Sequence, residues 1–244
     1  MKKFLSVLAL LLLIVQGSYA QKKFSAYGVA FYNQENLFDT CHDEGKNDYD
    51  FLPTGSYRWN GLKYKNKLHN MARALADLGT DVLPGVGCAV IGLSEVENNN
   101  VLDALVAQPE LAARGYKYCH VEGPDKRGID CALLYNPALF SVRDVKLVPY
   151  VYDLPKDSAR ATRGFLTVSG TMAGEHLTVV VCHWPSRGAS SHYREIAGTQ
   201  VKAVKDSLLR DDPNCKVMVM GDMNDDPTNK SMYDCLSCKP EIDQ

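Results

Sequence analysis

Apolar residues run along this chain in short, nearly unbroken blocks, each stopped by polar residues of a restricted kind. Residues 28–32 (GVAFY), 88–94 (CAVIGLS), 131–135 (CALLY), 177–182 (LTVVVC) and 217–220 (VMVM) have the length and β-branched content of strands. The most continuous of them read as strands buried on both faces. Further strands are predicted over residues 117–121, 142–151 and 162–169, with Ala173-Gly174-Glu175 as a hairpin turn. Two stretches follow helical spacing instead. Tyr64, Leu68, Met71, Leu75 and Leu78 share one face of a helix that ends at Gly79, and Tyr193, Ala197, Val201, Val204 and Leu208 share one face of a second. Shorter helices are predicted over residues 101–107 and within 228–244. Strands and helices interleaved in this way give an α/β chain.

The residues that stop the strands carry the chemistry. The first block ends in Asn33 and Glu35, the second in Glu95, the fourth in His183 followed by Ser186 and Arg187, and the fifth in Gly221, Asp222 and Asn224. A strand fixes its backbone while the following loop leaves polar side chains free to meet a ligand, so strand ends are where open α/β sheets place their sites. Asn33 and Glu35, two apart on an extended chain, are expected to face one cavity. Glu95 is either a hard oxygen ligand for a divalent cation or a cap on the helix that follows. His183 is either a proton-exchanging group or a packed core histidine. Asp130 heads a buried strand and needs a partner. Arg127 is the nearest cation in sequence, so a structural ion pair and a substrate role both stand for these two residues. Asp225 and Asp226 read as turn residues beside the working pair Asp222 and Asn224.

Composition narrows the setting. Lys2 and Lys3 precede an apolar run over residues 4–15, and Ser18-Tyr19-Ala20 supplies small residues at a cleavage site, the pattern of a secretory signal peptide over residues 1–20. A secreted or periplasmic protein is expected, with no stable membrane insertion once that segment is removed. The remaining residues, 21–244, show no linker or repeat and suit one domain. Loss of the two lysines takes the formal charge from −2 to −4. That excludes broad polyanion binding, which rests on dense Lys and Arg. Of the eight cysteines, several lie inside strand blocks and read as small core residues; Cys235 and Cys238 form the one close pair.

The ordered set of SEVEN at 94–98, RGID at 127–130, HWPSR at 183–187 and GDMND at 221–225, after YNQENLFDT at 32–40, resembles the endonuclease/exonuclease/phosphatase superfamily, in particular its exported bacterial members. The resemblance covers nearly all of residues 21–244. It implies a four-layer α/β sandwich of two stacked mixed sheets flanked by helices, with the active site at one end. It also implies a metal-dependent hydrolase of phosphoester bonds, most readily a phosphodiesterase or nuclease. By this resemblance Asn33, Glu35 and Glu95 hold Mg²⁺, with Mn²⁺ or Ca²⁺ as the other choices, and His183, Asp222 and Asn224 are catalytic. Arg127, Asp130 and Arg187 contact the substrate, a nucleic acid or a small phosphodiester. Members of the superfamily close with a further strand and a late Asp-His pair, whereas here no histidine follows His192. The expectation is a C-terminally incomplete chain lacking the last strands, with a non-catalytic remnant as the alternative.

Overall fold

The computed structural model describes residues 25–152 and 162–239; residues 1–20, read above as a signal segment, and Arg160 lie outside them. Among the described residues eight strands form in chain order: β1 (Gly28–Leu37), β2 (Cys88–Val96), β3 (Lys117–His120), β4 (Asp130–Tyr135), β5 (Phe140–Val148), β6 (Phe165–Met172), β7 (Glu175–His183) and β8 (Lys216–Asp222). They build two four-stranded sheets, ordered β1-β2-β4-β3 and β5-β6-β7-β8. In the first, β1 and β2 are parallel and the other pairings antiparallel; in the second, β7 and β8 are parallel.

Each parallel pair is joined through a helix, because parallel neighbours need a crossover to return the chain to its starting end. Helix α1 (Gly61–Asp77) serves β1 and β2, and α4 (Ser191–Asp211) serves β7 and β8. Asn60 starts α1 by accepting the Leu62 and Lys63 N–H groups on its side chain, and Ser190 starts α4 by accepting that of His192. Between β2 and β3 lie α2 (Asn99–Val106) and a single turn, α3 (Pro109–Ala112), which the apolar pattern does not signal. A π turn, Ser231–Cys235, packs on α4.

The layering explains why the strand blocks are apolar throughout. Ile91 and Leu93 point outward to Leu68, Ala72 and Leu75 of α1 and Leu102 of α2, whereas Val90 points inward. Val179 and Val181 face inward to Val168 and Leu133, whereas Val180 and Cys182 face Ala197 and Val201 of α4. Alternate residues of one strand thus enter different cores, so a polar residue on either face would be buried. The result is a helix/sheet/sheet/helix sandwich of the expected class. Cys88, Cys119, Cys131 and Cys182 are buried in it as small apolar residues, and Cys235 and Cys238 are unbonded.

Burial is uneven across each sheet. Strands β2 and β7 are buried almost from end to end, but β1 up to Asn33 and β8 beyond Lys216 are only half-buried. These two are the outer strands of their sheets and lie against each other.

Candidate active site

Because β1 runs parallel to β2 and β7 to β8, the ends carrying Asn33, Glu95, His183 and Asp222 come to one end of the sandwich. The Asn33 amide Nδ2 donates to Asp222 Oδ2 at 3.0 Å and to Glu95 Oε1 at 3.4 Å, bridging two carboxylates from different sheets. His183 Nε2 lies 3.6 Å from the same Glu95 oxygen. Asp222 also accepts the Asn224 N–H on Oδ1 at 3.0 Å. Glu95, His183, Asp222 and Asn224, with Arg127, Arg163, Pro185 and Ser186, line a cleft of about 270 Å³, with Asn33 beside it through its bonds to the two carboxylates.

Two of the residues are held in a backbone conformation that side chains disfavour. Glu95 has φ +60° and Asn224 φ +52°, both left-handed. Each such residue costs of the order of 1–3 kcal/mol, which the surrounding packing must offset. For Glu95 the conformation coincides with a break in the β2–β4 register between Ser94 and Val96, which turns the carboxylate into the cleft instead of into a core.

Electrostatics separate the groups. Burial, reinforced by the guanidinium groups of Arg163 and Arg127, pushes His183 down to about 2, so its imidazole is neutral. The Arg163 side chain is 8% exposed; Nη1 donates to Asp125 Oδ2 at 2.8 Å and Nη2 to the Trp184 carbonyl at 3.2 Å. Asn224 Nδ2 donates to that same carbonyl at 3.0 Å. The Trp184 backbone therefore sets both the arginine and the asparagine.

Two sequence expectations are corrected by this geometry. Glu35 does not share a cavity with Asn33. Glu35 and Asn36 are consecutive left-handed residues at φ +51° and +63°, the β1–β2 register breaks between Asn33 and Leu37, and the alternation that would have aligned the two side chains is lost. Glu35 is exposed and lines a separate depression with Trp59, Lys63 and Lys67. Asp130 does not pair with Arg127 and is buried away from the cleft. It is 2% exposed, accepts the Gly123 N–H at 3.0 Å and lies 3.5 Å from His120 Nε2, whereas Arg127 turns outward to the cleft.

The remaining expectations find clear positions. Arg187 is exposed, bonds the Asn224 carbonyl at 3.1 Å and Asp226 at 2.9 Å, and borders the outer side of Asp222. Asp225 is more than a turn residue: its side chain is 4% exposed and is held by Arg194 Nε at 2.8 Å, Ser231 and Asn229, tying the loop to α4 and the π turn. Sequence reading missed Arg163 and Asp125 as a cleft-building pair. The available signal was the one that singled out Asp130, a charge immediately before a buried strand.

Behind the site Glu97, 1% exposed, accepts the Asp39 N–H at 2.7 Å, and burial next to Asp39, Asp43 and Asp48 pushes its carboxyl up to about 8. The folded protein therefore keeps this proton over a range where the unfolded chain releases it. Its stabilising share is complete below about pH 4.5 and is lost as pH rises through about 8. Glu97→Gln, which retains the carbonyl acceptor, is expected to unfold at the same urea concentration as the unaltered protein near pH 4.5 and at a higher one at pH 8. Unfolding curves across that range measure it.

The comparisons with known proteins agree with the fold. No curated protein sequence is significantly similar to the chain. Among solved structures it is similar to sphingomyelinase C of Streptomyces griseocarneus, at 20% identity and TM-score 0.59, covering 89% of this chain and 72% of that one. It is also similar to a mannosyl-6-phosphatase of Bacteroides thetaiotaomicron, at 19% identity and TM-score 0.57, with 87% and 70% covered. D. rerio TDP2, solved with a single-strand DNA product, is similar at 15% identity and TM-score 0.52, with 86% and 64% covered. The chain spans 46 to 66% of the TDP2 chains it resembles. At these identities the likeness concerns the fold. A family model for the endonuclease/exonuclease/phosphatase family matches residues 28–243, nearly the whole of the described sandwich. The chain belongs to that family.

Proposed function

We propose that this chain hydrolyses phosphoester bonds with the help of a divalent cation, Mg²⁺ by preference, and acts on a phosphodiester outside the cytoplasm. The observation that carries the reading is the meeting of Glu95, Asp222, Asn33 and His183 from four strand ends beside two arginines. The family is one of phosphoesterases, and the names of similar structures include a phosphatase and a sphingomyelinase. The export signal in the sequence is what supports extracellular action.

The donor set fits a hard cation. Two carboxylates from different sheets converge on one neutral amide, and the imidazole beside them is neutral as well, so their negative charge has no close cationic partner among them. Glu95 and Asp222 would hold the ion; Asn33 faces both through its Nδ2 donor, while its Oδ1 accepts the Glu35 N–H, so it orients the carboxylates. Bound there, a divalent cation supplies neutralisation of charge on a phosphoryl oxygen.

The chain's own groups account for the rest of the reaction. Arg127 and Arg163 attract and orient the phosphoryl oxygens, Arg163 rigidly because Asp125 and the Trp184 carbonyl fix its plane. Asp222, oriented by N–H donors from Asn33 and Asn224, accepts a hydrogen bond from the attacking water and aims it at phosphorus. Neutral His183 offers an N–H to an oxygen of the phosphate without adding a third cation. Chelation should abolish hydrolysis of bis(p-nitrophenyl) phosphate by the purified chain, and Mg²⁺ should restore it. Turnover that persists in excess chelator would refute the metal-dependent reading.

A further inference from the structure

A second group of ligating side chains lies outside the cleft. His120 closes β3, Asp130 opens β4, and Glu122 stands between them on the connecting loop; one ligand atom from each lies within 4.8 Å of the others. The His120 and Asp130 side chains are 1% and 2% exposed, whereas Glu122 is 54% exposed, so the cluster is buried on one side and open on the other.

The hydrogen bonds fix what His120 offers. Its Nδ1 meets Asn99 Oδ1 at 2.9 Å, so Nε2 is the ring atom that faces the cluster. Nε2 lies 3.5 Å from Asp130 Oδ2 and makes no hydrogen bond. Asp130 Oδ1 is likewise buried without a partner. Two buried polar atoms side by side without hydrogen-bond partners are costly unless a ligand engages them. Ligands at about 2.0–2.1 Å from a tetrahedral ion stand about 3.3–3.4 Å apart, close to the separation seen here. A Cβ at position 123 would fall 2.3 Å from Asp130 Oδ1, so Gly123 keeps the space beside that oxygen open. The outward nitrogen contact from Nδ1 to Asn99 is the arrangement that orients a metal-bound imidazole.

We infer that His120, Glu122 and Asp130 form a zinc-class metal site distinct from the catalytic cleft, and that Lys46 competes for it. Lys46 Nζ lies 2.8 Å from Glu122 Oε1 and donates to the Gly123 and Asp125 carbonyls at 3.2 and 3.4 Å, holding the third ligand by its own charge. The ion would staple the two ends of the loop that bears Asp125 and Arg127. It would thereby stiffen one catalytic-cleft arginine directly and Arg163 through Asp125. This inference does not depend on the activity proposed above.

Calorimetric titration of the full chain with Zn²⁺ tests it. The unaltered protein is expected to bind one more Zn²⁺ than His120→Gln, with both folded by circular dichroism. Lys46→Met, which removes the competing ammonium, should bind that ion roughly tenfold tighter, within the range over which neighbouring groups tune metal affinity. Hydrogen exchange over residues 121–129 should slow on Zn²⁺ addition in the unaltered protein and in Lys46→Met. Equal stoichiometry in all three proteins, or a doubly protonated His120 ring by NMR in saturating Zn²⁺, would overturn the site and leave a plain His–Asp ion pair. Should His120→Gln fail to fold, unchanged affinity in Lys46→Met together with unchanged exchange overturns it equally.

Discussion

Asp222→Ala is expected to lower metal-dependent hydrolysis of bis(p-nitrophenyl) phosphate by about 10²–10⁴-fold while leaving the unfolding transition nearly in place. The size follows from the loss of the group proposed to accept from and aim the attacking water, in the range found when such a group is removed. Asp222 sits at the very end of β8, half-buried, and its contacts are the two N–H groups of Asn33 and Asn224. Neither donor is sealed from water once the carboxylate is gone, so the fold loses little. Asp226→Ala is the matched control: its carboxylate is 65% exposed and bonds Arg187 only, and its removal should leave turnover within about twofold, as expected of an exposed ion pair. Equal turnover in Asp222→Ala and Asp226→Ala would remove Asp222 from the mechanism.

Asp125→Ala should have the largest effect on stability, a loss of about 3–5 kcal/mol in urea unfolding. Its carboxylate is 6% exposed and accepts Arg163 Nη1 at 2.8 Å, Thr162 Oγ1 at 3.3 Å and the Arg127 N–H at 2.9 Å. Truncation strands the Arg163 guanidinium in a buried position, where an unpaired charge costs far more than the pair contributes. The double variant Asp125→Ala/Arg163→Met should recover much of the loss, because it removes the stranded charge as well. Additive losses in the double variant would show that the pair is not coupled. Even where Asp125→Ala folds, its turnover should fall, since the guanidinium no longer has a fixed plane.

Much of this was readable from the sequence because burial writes itself into composition. Strands β2 and β7 serve two cores, so their polar ends stand out sharply, and Glu95 and His183 were found by that contrast. Asn33, Asp222 and Asn224 emerged in the same way. What stayed hidden depends on backbone handedness and on contacts distant along the chain. Nothing in the letters around Asn33 announces that Glu35 and Asn36 are left-handed, so a rule built on alternation placed Glu35 on the wrong side. Arg127 stood as a candidate partner for Asp130, beside a substrate role, because the two are neighbours in sequence; the turn through Gly128 at φ +77° separates them and sets Asp130 beside His120. Arg163 and Asp125 lie 38 residues apart, and only packing of the two sheets brings them together. Each miss involves a residue whose environment is set by the fold as a whole.

The uneven burial of the strands has a mechanical consequence for the cleft. Asn33 and Asp222 belong to the two outer strands, each stitched to a single neighbour, whereas Glu95 and His183 stand on strands gripped from both sides. Local opening follows the weaker stitching. One half of the cleft is therefore gripped from both sides, and the other half, joined by the Asn33–Asp222 hydrogen bond, is the more compliant.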